Sequence, residues 1–228
     1  MKKITLYTIL SCTILCLFLA CGDKQNTVAD AHIYGTIENP RADHINLSFG
    51  DYSQKVMLDS VHSFDLKLNR QAGYYTFRHG RETAQIYLKP GDDLKISLNA
   101  KNFDESLKFE GTGAVENNYL TEKYLKMESY SSKSKDNYSA DEATYIEKIN
   151  AHQNELNQLL ASSDVDPEFA KAEAKNIEYE IVINKMLYER AHRYFSGNND
   201  FNASAEFKAA FDKIDYKIES EYNLIPAY

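Results

Sequence analysis

The stretch Lys108-Phe109-Glu110-Gly111-Thr112-Gly113-Ala114-Val115-Glu116-Asn117-Asn118-Tyr119-Leu120 is where this chain changes its hydrophobic period. Upstream of it apolar residues alternate with polar ones, the pattern of strands with one buried face. Downstream they recur at three- and four-residue intervals, the pattern of helices. Gly111 and Gly113 sit at the changeover and give the chain the freedom to turn from one kind of element to the other. A single switch of period predicts an α+β chain: an antiparallel β-sandwich or barrel-like domain over 31–112, then a small helical bundle over 113–228.

Reading upstream, Ile33, Gly35 and Ile37 alternate against His32, Tyr34 and Thr36. Ile45, Leu47 and Phe49 do the same, as do Phe64, Leu66 and Leu68. Further strands are predicted over 54–59, 73–79, 83–88, 93–98 and 106–109. Roughly eight short strands with turn signals every ~8–12 residues favour an antiparallel sandwich or barrel over βαβ units. The turns Asn39-Pro40, Phe49-Gly50-Asp51 and Lys89-Pro90-Gly91-Asp92 supply the residues that fix φ or permit positive φ, and Pro-Gly at the central positions predicts a type II turn.

Reading downstream, Leu120, Tyr124 and Met127 mark a first helix that breaks in Ser131-Ser132-Lys133-Ser134-Lys135-Asp136-Asn137. Ser139 with Glu142 reads as a capping box for a second helix carrying Tyr145, Ile149, His152, Leu156 and Leu159. Asp166-Pro167 opens a third as N-cap and first helical residue. Ile177, Ile181, Ile183, Met186, Leu187 and Tyr188 cover a wide arc of it, which predicts the most buried helix. Phe207, Phe211, Ile214, Ile218 and Tyr222 mark a fourth.

The first 20 residues have a different character. Lys2 and Lys3 precede an apolar run, Ile4 to Leu19, and Ala20 supplies a small residue before Cys21. This is a signal peptide of the bacterial lipoprotein kind, with cleavage before Cys21 and a thioether-linked lipid on its sulfur. The run is shorter than the ~20 apolar residues of a membrane span and contains Ser11 and Thr13. Plain secretion is the rival reading, since Phe18 stands where lipoprotein signals usually carry Leu. Residues 21–30 are polar, as a flexible tether between lipid and folded domain is expected to be. The expected location is the cell envelope, lipid-anchored and facing the periplasm, with the choice of inner or outer membrane open.

Cys12, Cys16 and Cys21 all fall in or at the end of this signal, so a mature chain would keep no thiol for disulfides, thiolate metal sites or CxxC exchange. Without Lys2 and Lys3 it would carry 24 basic against 34 acidic side chains, a formal charge of −10. That excess argues against nucleic acid or an anionic membrane surface as a partner. The six histidines, His32, His44, His62, His79, His152 and His192, show no paired spacing that would place two imidazoles on one metal. No cofactor, metal site or catalytic residue is expected. Gly111-Thr112-Gly113 before a helix invites comparison with a phosphate loop, but Glu116 places a carboxylate where phosphate would have to sit, and a sheet-to-helix connector is the better reading.

The order of strand block, Lys108 to Ala114 and Glu116-Asn117-Asn118-Tyr119-Leu120 resembles the front part of a family of Bacteroidota envelope lipoproteins. In that family a β domain of unknown function and a helical segment precede a thioredoxin-like domain of the TlpA or AhpC/TSA type. Ile33-x-Gly35, Ser63-Phe64 and Ile86-Tyr87-Leu88-Lys89-Pro90-Gly91-Asp92 extend the resemblance over most of 31–125. It implies an oxidoreductase when the thioredoxin domain is present, but this chain ends at Ile225-Pro226-Ala227-Tyr228, about where that domain would begin, and no catalytic residue carries over.

The leading expectation is a lipid-anchored, non-catalytic binding or spacing module with an envelope protein or component as partner. One alternative is the N-terminal portion of a TlpA-like thiol-disulfide oxidoreductase. A second is glycan binding by Tyr74, Tyr75, Tyr87, Tyr119, Tyr124, Tyr179, Tyr188 and Tyr194, although boundary positions between sheet and helices explain most of these tyrosines, and Tyr74 and Tyr75 must face opposite ways. Asp59-Ser60-Val61 also resembles the short O-glycosylation signal of Bacteroidota envelope proteins.

Overall fold

The computed structural model describes residues 29–209 and 211. Cys21, the signal peptide and most of the tether lie outside the described residues, as do Ile214, Ile218 and Tyr222. The α+β class holds: a β-sandwich over residues 31–111 is followed by helices.

The strands are β1 (Ala31–Glu38), β2 (His44–Phe49), β3 (Tyr52–Met57), β4 (Ser63–Leu68), β5 (Gly73–His79), β6 (Glu82–Leu88), β7 (Asp93–Asn99) and β8 (Lys108–Gly111). They form two four-stranded sheets, ordered β4-β1-β7-β8 and β3-β2-β5-β6. The alternation read from the sequence decides which side chains lie between them. Ile33, Ile37, Leu66, Leu94, Ile96 and Phe109 from the first sheet meet Ile45, Leu47, Tyr75, Phe77, Ile86 and Leu88 from the second in one core. Removing this apolar surface from water stabilises the sandwich at roughly 25 cal/mol per Å². In the Lys89-Asp92 turn, Asp92 N–H donates to the Lys89 carbonyl at 3.1 Å and Gly91 has φ +86°, as a type II turn requires.

One pair departs from the expected antiparallel arrangement. β1 pairs with β4 antiparallel but with β7 parallel, from His32 against Asp93 to Glu38 against Asn99. Period-two alternation reports which face is buried and carries no information on a neighbour's direction. A one-turn helix, α1 (Phe103–Ser106), which no periodicity announced, links β7 to β8 and buries Phe103.

The helical part comprises α2 (Ala114–Ser131), α3 (Ser134–Tyr138), α4 (Glu142–Ser162), α5 (Pro167–Ser196) and α6 (Ala205–Ala209). Three expectations need correction. Ser139 does not cap α4: its backbone is helical and its N–H closes α3 on Lys135, so Asp141 takes the cap and accepts from Thr144 N–H at 2.9 Å. Glu142 instead receives Ser204 N–H and Oγ–H at the start of α6. The break after Ser131 contains the short α3, which buries Asn137 and Tyr138. Finally, α5 buries only part of its arc: Ile177, Ile181 and Tyr188 are in the core, whereas Ile183, Met186 and Leu187 are 43%, 53% and 43% exposed. The Asp166-Pro167 start stands as read, with Asp166 Oδ1 accepting from Glu168 and Phe169 N–H.

Two apolar clusters hold the helical part. Tyr138, Tyr145, Ile149, Leu156, Ile177, Ile181, Tyr188 and Phe207 pack among α3–α6. Tyr119, Leu120, Leu159 and Phe169 pack with Tyr74 and Tyr87 from the outer face of the second sheet. The helices therefore sit on the sandwich through aromatic side chains, with Phe169 edge-on to Tyr87 and Tyr119 at centroid distances of 4.9 and 5.7 Å.

Candidate functional site

The connection between sheets and helices sets the site. Gly111 and Gly113 adopt φ +92° and +89°, and Gly113 is the N-cap of α2. A side chain on Gly113 would meet the Asp92 carboxylate at 2.8 Å, and one on Gly111 the Asp93 carbonyl at 2.2 Å. Glu116, in the next turn, accepts from Asp166 N–H at 3.1 Å, and Lys89 reaches both Glu116 (3.6 Å) and Asp166 (3.3 Å). The glycines thus serve a connector, and the start of α2 is tied by its own charges to the start of α5 and the Lys89-Asp92 turn.

Two turns further along α2, Lys123 enters the seam between the second sheet and α5. It is 3% exposed, and its Nζ contacts Glu173 and lies 3.1 and 2.9 Å from the Glu180 oxygens Oε1 and Oε2. Spacing explains the arrangement: Glu173 and Glu180 are seven residues apart on α5 and so share its face. Glu173 is fully buried and well satisfied, receiving Tyr74 O–H at 2.7 Å, Tyr119 O–H at 3.5 Å, Asn176 Nδ2 and Lys123. Burial first, and then the Glu173 charge, push the Tyr74 and Tyr119 hydroxyls well above the ordinary tyrosine range, so both remain donors. Glu180 is served less well. Its Oε2 is buried and has the Lys123 ammonium, 2.9 Å away, as its ion-pair partner. Burial drives the Glu180 carboxyl upward against the pull of Lys123, and Glu173 adds to the rise.

Lys123 and Glu180 of this triad line a cavity of about 160 Å³. Thr83, Ala84 and Gln85 of β6 line it together with Leu107, Leu120, Thr121, Tyr124 and Met127. Lys123, Glu180 and Asp104 supply its charges. Asp104 is also pushed upward, first by burial and then by Glu128, Glu82 and Glu105. The arrangement is an apolar-walled space with two carboxyls and one already paired ammonium, chemistry suited to holding a small molecule in a fixed orientation.

The residues singled out in the sequence fall elsewhere. Of the eight tyrosines, Tyr75, Tyr119, Tyr179 and Tyr188 are buried, Tyr74 and Tyr87 lie between sheet and helices, and Tyr124 and Tyr194 are exposed. They are not brought together on one surface. The histidines are likewise dispersed: His32 bridges Asp65 and Asp93, His44 pairs with Asp43, His79 and His192 bond backbone groups, and His152 stacks on Tyr130. Among the described residues no group of three His, Cys, Asp or Glu could hold a metal ion. Asp59-Ser60-Val61 lies in an exposed turn where Asp59 Oδ1 accepts Val61 N–H and Ser63 N–H. Sequence reading missed the triad altogether, although Lys123 at a helix position between Leu120 and Met127 was the available signal. No protein-family model matches the chain, and searches of the curated proteins and of the solved structures returned no match.

Proposed function

We propose that this protein is a lipid-anchored, non-catalytic binding module of the cell envelope. In this reading it is held to a membrane through Cys21 and carries its recognition site in the cavity between β6, α1, α2 and α5. The observation that carries the binding role is the make-up of the cavity: apolar walls of Ala84, Leu107, Leu120 and Met127 with the Asp104, Lys123 and Glu180 side chains in its lining, the composition of a small-molecule site. The anchor is supported by the Lys2-Lys3, apolar run and Ala20-Cys21 pattern. The likeness to the front part of TlpA-like envelope lipoproteins rests on the sequence motifs Ile33-x-Gly35, Ser63-Phe64 and Ile86 to Asp92.

The reading is tested in the native host. Intact-mass analysis should find a chain beginning at Cys21 with the added mass of its lipid; a species retaining Met1, or one trimmed elsewhere and free of lipid, would remove the anchor. A photo-crosslinking phenylalanine analogue in place of Tyr124, which lines the cavity, should capture a bound molecule. The same analogue in place of Tyr194, 80% exposed and outside the lining, should not. Equal labelling at both positions, or none at Tyr124, would remove the cavity as recognition site.

A further inference from the structure

The cavity has a charge imbalance that selects its ligand. Glu173 and Glu180 share a single ammonium, Lys123, so the buried triad carries an excess negative charge. Asp104 adds a second carboxyl to the lining, and Glu82, Glu105 and Glu128 surround Asp104 closely enough to raise it. Of these surrounding carboxylates, Glu82 has a cation of its own, the Arg41 guanidinium at 3.7 Å. Among the described residues Lys123 is the only cation lining the space, and its Nζ is already committed to two carboxylates. Low-dielectric walls of Leu107, Leu120, Ala84 and Met127 strengthen whatever field these charges leave.

Size narrows the class further. A cavity of about 160 Å³ is close to one of ~150 Å³ that holds a single benzene ring. Resting on the reading of this cavity as a binding site, we propose that its ligand is a primary ammonium on a short apolar body, aliphatic or aromatic, whose charge is met by the Glu180 and Asp104 carboxylates. The ammonium lies against the Asp104 and Glu180 side chains of the lining, and the apolar body replaces water against Leu107, Leu120 and Met127. The same chemistry arrives as a free amine or as the end of a lysine side chain on another protein.

Three ring-sized probes of different charge separate the outcomes: benzylamine, benzyl alcohol and benzoate, titrated into the full-length protein by calorimetry and by NMR shifts at Thr83, Leu107 and Tyr124. Benzylamine should bind at least tenfold more tightly than the alcohol, and benzoate should not bind. Glu180→Gln and Asp104→Asn should each weaken benzylamine at least fivefold while leaving the alcohol unchanged. Benzylamine and benzyl alcohol binding equally, or benzoate binding best, would overturn the cation preference and leave the cavity a binding site. No shifts with any probe would overturn both. An acetyl-lysine-amide arm distinguishes the sources: affinity matching butylamine points to a protein side chain, and exclusion of the peptide with retention of the amine points to a free molecule.

Discussion

Asn117 pairs with Tyr87 as a neighbouring strand would: its Oδ1 accepts Tyr87 N–H at 2.9 Å and its Nδ2 donates to the Tyr87 carbonyl at 2.8 Å. β6 is an edge of its sheet, and Tyr87 turns both backbone groups away from β5. The next residue repeats the device on the other sheet, with Asn118 accepting from Phe109 N–H at 3.1 Å and donating to its carbonyl at 3.0 Å. Two consecutive asparagines at the start of α2 therefore close an edge of each sheet and fix the helix to both.

The two should not be equal in energy. Asn117 is fully buried, so Asn117→Ala strands two backbone groups without water and should lower unfolding free energy by about 2–3 kcal/mol. Asn118 is exposed, water can replace its bonds, and Asn118→Ala should cost less than about 1 kcal/mol. Denaturant melts of both variants measure this, with faster amide exchange at Tyr87 in the first. Equal losses would show that the edge pairing does not hold the helix.

Local pattern carried much of this fold and little of its assembly. Alternation identified Ile33, Ile45, Leu66 and Leu68 as inward-facing because a strand exposes opposite faces at successive residues, a property of the chain itself. The parallel partnership of β1 with β7 depends on residues some sixty positions apart and leaves no periodic trace. The same limit hid the site. Lys123, Glu173 and Glu180 look like ordinary charges on solvated helix faces, and their burial follows only from how α2 and α5 cross the sheet. Asp166 was legible because a cap acts within three residues; Ser139 misled because the short α3 before it had already taken its backbone.

Gly35 should be the least replaceable glycine of the sandwich. It lies where β1 is flanked by β4 and β7, and a Cβ there would stand 1.8 Å from the Ile96 carbonyl oxygen, a backbone atom that cannot rotate away. Gly35→Ala should cost more than about 4 kcal/mol, at the severe end for single substitutions. Gly197, after α5, has φ +74° and open space around it, so Gly197→Ala meets only the left-handed backbone penalty of about 1 kcal/mol. Thermal melts of the pair test the contrast; a mild loss at Gly35 would mean that β1 and β7 can separate.

The triad predicts opposite outcomes at two of its members. Lys123→Met leaves the buried Glu173 and the half-buried Glu180 without a cation and should destabilise by about 3–5 kcal/mol. Glu180→Gln removes the excess charge and should make the protein more stable at pH 7. Because burial raises the folded Glu180 carboxyl above its ordinary 4.5, its charged form weighs against folding at neutral pH. The advantage of the glutamine variant should therefore shrink as pH falls through that raised value and vanish below 4.5. Urea melts across pH 4 to 8 measure the gap, and a wild type more stable than Glu180→Gln at pH 7 would contradict the charge imbalance.

His79 and His32 should shift stability in opposite pH windows. His79 is 1% exposed; its Nε2 accepts Arg41 N–H at 2.9 Å and its Nδ1 donates to the His44 carbonyl at 3.0 Å, which fixes the neutral ring with its proton on Nδ1. Burial holds its pKa below the ordinary 6.5, so its contribution is present above that value and lost as pH falls toward the lowered folded one. For His32, partial burial lowers the pKa, but hydrogen bonds and charges from Asp65 and Asp93 together outweigh it and the net shift is upward. Its contribution is complete below 6.5 and lost as pH rises through the raised value. Imidazole NMR titration should place the His79 midpoint below that of a free histidine and the His32 midpoint above it. His32→Gln should accordingly lower stability most below 6.5, and His79→Gln most above it. A common midpoint, or losses independent of pH, would show that these hydrogen bonds do not persist in solution.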